Sequence, residues 1–179
     1  MNNQIILPFF FDEYSYNEIG KIKIILKDSR INNPLYDFLE NTGTDFKDRY
    51  FSDVLKFTDR DFEDKHDFIQ WIFPTNETST IASEIPLVDD EIITLVKKSE
   101  IAQSNLQKAT DLYLGFLYRN SHWIKQHDHN HLRITRVIKS LRLLLGDKEA
   151  DDFKKNIYGM LGGRILIIHE NARRYWSKA

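Results

Sequence analysis

His129-Asn130-His131-Leu132-Arg133-Ile134-Thr135-Arg136-Val137-Ile138-Lys139-Ser140-Leu141 combines an apolar stripe at helical spacing with a dense set of specific polar side chains. At about 100° per residue, Ile134, Val137, Ile138, Leu141, Leu144 and Leu145 fall on one face, as in a helix that covers a core. Arg136, Lys139 and Arg142 fall opposite, in solvent or against a partner. Arg133 borders the stripe, so its guanidinium can turn inward to a carboxylate or another acceptor. The helix is expected to start at about Asn130, whose side chain would cap the first-turn N–H groups. Gly146 stops it.

Helical signals continue in both directions from this segment. Asn33-Pro34 reads as a helix start leading into Leu35–Leu39, with proline tolerated in the first turn. Tyr50–Phe57 reads as a short helix. Arg60–Phe73 reads as one helix ended by Pro74, with Phe62, Phe68, Ile69, Ile72 and Phe73 on one face, His66 and Gln70 on its edge, and Trp71 on the other side. Thr75–Leu87 is a long loop. Asp89-Asp90-Glu91 puts acids where a helix N-terminus favours them. A long central helix follows, with Ile92, Leu95, Val96, Ala102, Leu106, Ala109, Tyr113 and Phe116 three or four apart. Beyond Gly146, Ala150, Phe153, Ile157 and Leu161 mark another helix closed by Gly162-Gly163, and a last one is expected from about Arg164 to Trp176. Ile22, Ile24 and Leu26 alternate with lysines or Ile25, a weak strand signal. The reading is all-α: a single-domain helical bundle over residues 29–179. Residues 1–28 form an arm or subdomain that lays Phe9, Phe10 and Phe11 on the body.

Composition bounds the function classes. The chain has 179 residues, 41% of them hydrophobic and 13% aromatic, enough for a core. Without cysteine, disulfides and thiolate metal sites are excluded. The longest apolar run, Ile5–Phe11, is broken by Pro8 and falls far short of the roughly 20 residues of a membrane span. It also lacks a basic leader, so the expectation is a soluble, cytoplasmic protein. Residues 1–100 carry 20 acidic against 11 basic side chains, whereas residues 101–179 carry 14 basic against 7 acidic. The pI near 6.3 favours mutual neutralisation of the two halves over a nucleic-acid surface.

Each polar cluster has competing readings. His127, His129 and His131 alternate, and in an extended segment they could face a metal together with Asp128. Alternate spacing fails on a helix, so neither metal nor cofactor is expected. His129 and Asn130 would then lock the loop to the bundle. His66 and Gln70 fit a ligand pocket or the satisfaction of neighbouring backbone equally well. Trp71, Trp123 and Trp176 suit packing better than ligand stacking. No Gly-x-Ser-x-Gly elbow or phosphate-binding glycine loop occurs. His66, Asp67 and His129 would form an acid–base set if their segments meet, but no nucleophile accompanies them.

Two groups of residues carry a family resemblance. His66-Asp67-Phe68-Ile69-Gln70-Trp71-Ile72-Phe73-Pro74 and, about 55 residues later, His129-Asn130-His131-Leu132-Arg133-Ile134-Thr135-Arg136 resemble the two signatures of the opioid growth factor receptor conserved domain. The closing Tyr175-Trp176-Ser177-Lys178-Ala179 resembles the end of compact, tail-less bacterial-type members. The resemblance extends over about residues 30–179. His131 departs from it, standing where many relatives carry a larger apolar residue or Asn, and the interval after Gly146 is more polar than usual. The resemblance implies a module that binds a small ligand, peptide or protein, with receptor activity resting on homology alone. The binding residues assigned on this basis are His66, Gln70, Trp71, His129, Asn130, Arg133 and Arg136, where the two segments face each other. The alternatives are a metal- or His/Asp-dependent hydrolase, and a nucleic-acid-associated protein using Arg136, Lys139, Arg142, Arg173 and Arg174.

Overall fold

Asn33 accepts hydrogen bonds from the N–H groups of Leu35 (3.0 Å) and Tyr36 (3.2 Å), and Pro34 follows at the first helical position. An expected start signal thus begins α1 (Pro34–Leu39). The computed structural model describes residues 33–78 and 87–179. Its helices are α2 (Phe51–Val54), α3 (Asp59–Asp64), α4 (Ile69–Ile72), α5 (Asp90–Lys98), α6 (Glu100–Arg119), α7 (His129–Leu144), α8 (Asp147–Leu161) and α9 (Glu170–Lys178). Short 3-10 turns lie at Ser121–Trp123 and Arg164–Ile167. Extended pairing among the described residues is confined to one antiparallel bridge, Thr44 with Tyr50. The fold is all-α, and among the described residues no helix is long and apolar enough to cross a membrane. The expectations for residues 1–28, Phe9, Phe10 and Phe11 included, lie outside the described residues, as does 79–86 within the Thr75–Leu87 loop.

The stripe of α7 is buried throughout Ile134, Val137, Ile138, Leu141 and Leu144. It packs most extensively on α8, which presents Ala150, Phe153, Ile157 and Leu161, and then on α9, which contributes Trp176. Trp123 and Trp176 are both core residues with satisfied indoles: Trp123 donates to the Leu117 carbonyl at 2.9 Å and Trp176 to that of His131 at 3.0 Å. Gly146 adopts φ +123°, a conformation open to glycine, and this turns the chain from α7 into α8.

Three expected elements differ. The helix expected over Arg60–Phe73 is two helices, because Lys65 is extended (φ −91°, ψ 135°). His66 and Gln70 therefore do not sit one turn apart on a common helix, and Trp71 does not point away from the core. It is buried edge-on against Phe38, ring centroids 5.3 Å apart. The long central helix breaks at Ser99 (φ −96°, ψ 109°), whose hydroxyl caps α6 by accepting from the Ala102 N–H at 2.9 Å. The side-chain amide of Gln103 donates to the carbonyls of Val96 (3.2 Å) and Lys97 (2.9 Å), which satisfies the end of α5. The last helix begins at Glu170 rather than near Arg164.

Candidate binding site

Arg133 is buried at the first turns of α7 and reaches across to the end of α3. One terminal nitrogen donates to the Phe62 carbonyl, and to Asn130 Oδ1 at 3.3 Å. The other donates to the Lys65 carbonyl at 2.7 Å and to His66 Nδ1 at 2.6 Å. These carbonyls have no partner within α3, so the guanidinium acts as that helix's C-terminal cap. Its plane also lies over the Phe68 ring, 5.7 Å from the centroid. Arginine has only donors, so His66 Nδ1 accepts and the ring proton sits on Nε2. Burial holds the Arg133 guanidinium below its ordinary basicity, with Tyr113, Glu63 and Asp128 acting the other way.

The two sequence segments thus meet. The rings of His66 and His129 stand 5.2 Å apart, edge to face, and both open to solvent. His129 Nε2 lies 3.5 Å from Glu63 Oε1, and the other oxygen of Glu63 lies 3.1 Å from His122 Nε2. Desolvation, and then the charge of Arg133, hold His129 below the usual imidazole range, while Asp128 and Glu63 pull it up. Asp67 does not join the histidines. It pairs with Lys47 and, at 3.0 Å, with Arg49, so the His66/Asp67/His129 set is not assembled.

Asn130 is fully buried and is not the N-cap. Asp128 takes that role, accepting from the Asn130 N–H at 2.8 Å, and α7 starts at His129. Burial opposes ionisation of Asp128, but the Asn130 N–H, Lys125 and His129 hold its carboxyl below the usual range. The Asn130 side chain instead accepts from the buried Tyr113 hydroxyl at 3.2 Å and from Arg133. Tyr113 entered the sequence reading only as a core residue; its hydroxyl supports the site from beneath. Glu63 and His122 were missed because neither stands in a recognisable pattern.

The remaining assigned residues lie apart from this group. Gln70 is buried on α4, and neither its Oε1 nor the indole nitrogen of buried Trp71 has a hydrogen-bond partner among the described residues. Arg136 is half-buried and donates to Thr75 Oγ1 at 3.3 Å. Of the cations assigned to a nucleic-acid surface, Lys139 pairs with Glu77, and Arg142 with Asp147 and Asp151, in partly exposed ion pairs. The alternating histidines diverge: His127 lies on His169, His129 on Glu63, and His131 in the core. Among the described residues, no three histidine or carboxylate side chains gather closely enough to hold a metal ion.

Residues 36–122 match the family model of the opioid growth factor receptor conserved region. The chain is similar to the opioid growth factor receptor of Mus musculus, 33% identical over 123 residues, which are 59% of this chain and 17% of the mouse protein. It is likewise similar to the receptor of Homo sapiens, 31% identical over 125 residues, covering 58% of this chain and 16% of the human protein. The chain therefore spans less than a fifth of the length of either receptor. No solved structure matches it.

Proposed function

We infer, from the membership of this chain in the opioid growth factor receptor conserved-region family through residues 36–122, that it is a binding module whose ligand meets the face carrying His66 and His129. The observation that carries this reading is a pair of exposed imidazoles, 5.2 Å apart, set over a buried arginine. Arg133 binds both the end of α3 and His66, so the His66 ring is presented from a fixed base and loses little freedom on binding. Arg133 and Asn130 hold the face. Gln70 and Trp71, both buried, and Arg136, tied to Thr75, lie outside this contact surface.

The relatives are named as receptors for opioid growth factor, which makes that ligand the first probe. Purified protein is titrated with opioid growth factor by calorimetry and by imidazole NMR. The expected result is measurable heat and movement of the His66 and His129 resonances, with His129→Ala weakening binding by about tenfold or more, some 1.4 kcal/mol. No heat together with unmoved imidazoles would overturn opioid growth factor as the ligand. Binding that His129→Ala leaves unchanged would overturn the face.

A further inference from the structure

A cleft of about 510 Å3 opens between the entry of α7 and the first turns of α9, and His129 is on its lining whereas His66 is not. Its lining includes His131, His169, His127, Leu132 and Tyr175. His131 Nε2 lies 2.9 Å from the Trp123 carbonyl, which can only accept, so the ring proton sits on Nε2 and Nδ1 keeps its lone pair. No partner meets Nδ1 among the described residues. The ring is only 4% exposed, and burial disfavours its charged form. His131 therefore offers the cleft a fixed, neutral acceptor.

The other walls narrow the chemistry. His169 Nδ1 accepts from the Asn171 N–H at 3.2 Å to cap α9, so its Nε2 carries the proton. A metal could bind that nitrogen only by breaking the cap. The one carboxylate on the lining, Asp128, is already held by the Asn130 N–H at 2.8 Å and Lys125 at 3.0 Å, which leaves no counter-ion for an ammonium. An anion would meet the lone pair of His131. The acceptor at His131 calls for a neutral donor, and apolar and aromatic surface lies beside it: Leu132 is 63% exposed and Tyr175 45%. The His127 and His169 rings, 4.6 Å apart and tilted 36° to each other, form a further aromatic wall.

We propose that this cleft binds a small aromatic molecule bearing a hydroxyl, its ring against Leu132 and Tyr175 and its hydroxyl donating to Nδ1 of His131. Concave sites of this volume with a few fixed polar atoms and apolar flanks are typical of small-ligand pockets. The proposal goes beyond the reading given to the His66–His129 face, and either can fail alone.

The test compares p-cresol with its methyl ether, 4-methylanisole, which has the same ring and no donor. Long-range nitrogen–proton NMR follows each imidazole of the intact chain. The expected result is movement of His131 Nδ1 by p-cresol with His66 unmoved, at least tenfold weaker binding of the ether, and weakened p-cresol binding in Tyr175→Ala. Loss of the half-exposed Tyr175 side chain leaves the buried core intact, so that variant keeps its fold. His131 unmoved by p-cresol, or equal binding of the ether, would overturn the proposal.

Discussion

Arg133 Nη2 lies 2.6 Å from His66 Nδ1, although 67 residues separate them in the chain. The same guanidinium caps α3 through the carbonyls of Phe62 and Lys65, so one side chain fixes the helix end, the turn after it and the ring beyond. A buried cation facing neutral acceptors is stabilised by the hydrogen bonds it donates, and here two of its four acceptors are backbone carbonyls that would otherwise be unpaired, the other two being Asn130 Oδ1 and His66 Nδ1. The geometry makes Arg133 structural first, with His66 and His129 as the exposed side chains above it.

Arg133→Ala should lower folding stability by about 2–4 kcal/mol, since it strips charge-assisted bonds from two buried carbonyls. Arg133→Lys should restore less than half of that, because a single ammonium cannot span acceptors matched to a planar fork. Urea midpoints of the three proteins decide the point. A midpoint for Arg133→Ala equal to the parent would show that the clamp contributes nothing.

The fold was legible where side chains commit to one face. The α7 stripe reads directly, because every residue from Ile134 to Leu144 at helical spacing is buried. The break at Ser99 does not read, since Ile92 and Val96 before it and Ala102, Leu106 and Ala109 after it are all buried, and the apolar period runs across the break. Long-range bonds set that break: the Ser99 hydroxyl reaches Glu40, and the Asn105 amide donates to the Leu39 carbonyl at 2.9 Å. The inward reach of Arg133 was also legible, but its acceptors were not, because backbone carbonyls leave no trace in a side-chain pattern. Asn130 shows the same limit. Its type fits an N-cap, yet Asp128 two residues earlier fits equally, and only the buried Tyr113 hydroxyl assigns Asn130 to the interior.

Asp128→Ala should therefore cost about 0.5–2 kcal/mol as the loss of a helix cap, with Asp128→Asn retaining most of it. Asn130→Ala should cost about 1–3 kcal/mol for another reason, the unpairing of buried Tyr113 and Arg133 donors. Thermal or urea melts of the three variants test both roles. If Asn130→Ala matches the parent while Asp128→Ala does not, Asn130 carries no interior role.

Leu141→Ala, at a fully buried position of α7, should cost about 2–5 kcal/mol. Arg142→Ala removes half-exposed pairs with Asp147 and Asp151 and should cost under about 1 kcal/mol. Similar midpoints for these two variants would mean that the α7 face is wrongly oriented.

His129 makes the site sensitive to pH, with a defined sign. Desolvation and the Arg133 charge depress its folded titration midpoint below the ordinary 6.5. The unfolded chain then binds more protons than the folded chain between the depressed midpoint and about 6.5, and stability rises with pH across that window. The parent should accordingly lose stability as pH falls below about 6.5, and His129→Gln should lose less. Glu63, 3.5 Å from Nε2, pulls the other way by favouring the imidazolium. Replacing it in Glu63→Gln should therefore push the His129 midpoint lower still, whereas loss of Arg133 should raise it. An NMR titration of the His129 ring from pH 8 to 4, in the parent and in Glu63→Gln, reads both effects. A parent midpoint at or above 6.5 would show that burial and Arg133 do not govern this ring, and one that rises in Glu63→Gln would show that Glu63 does not favour the imidazolium.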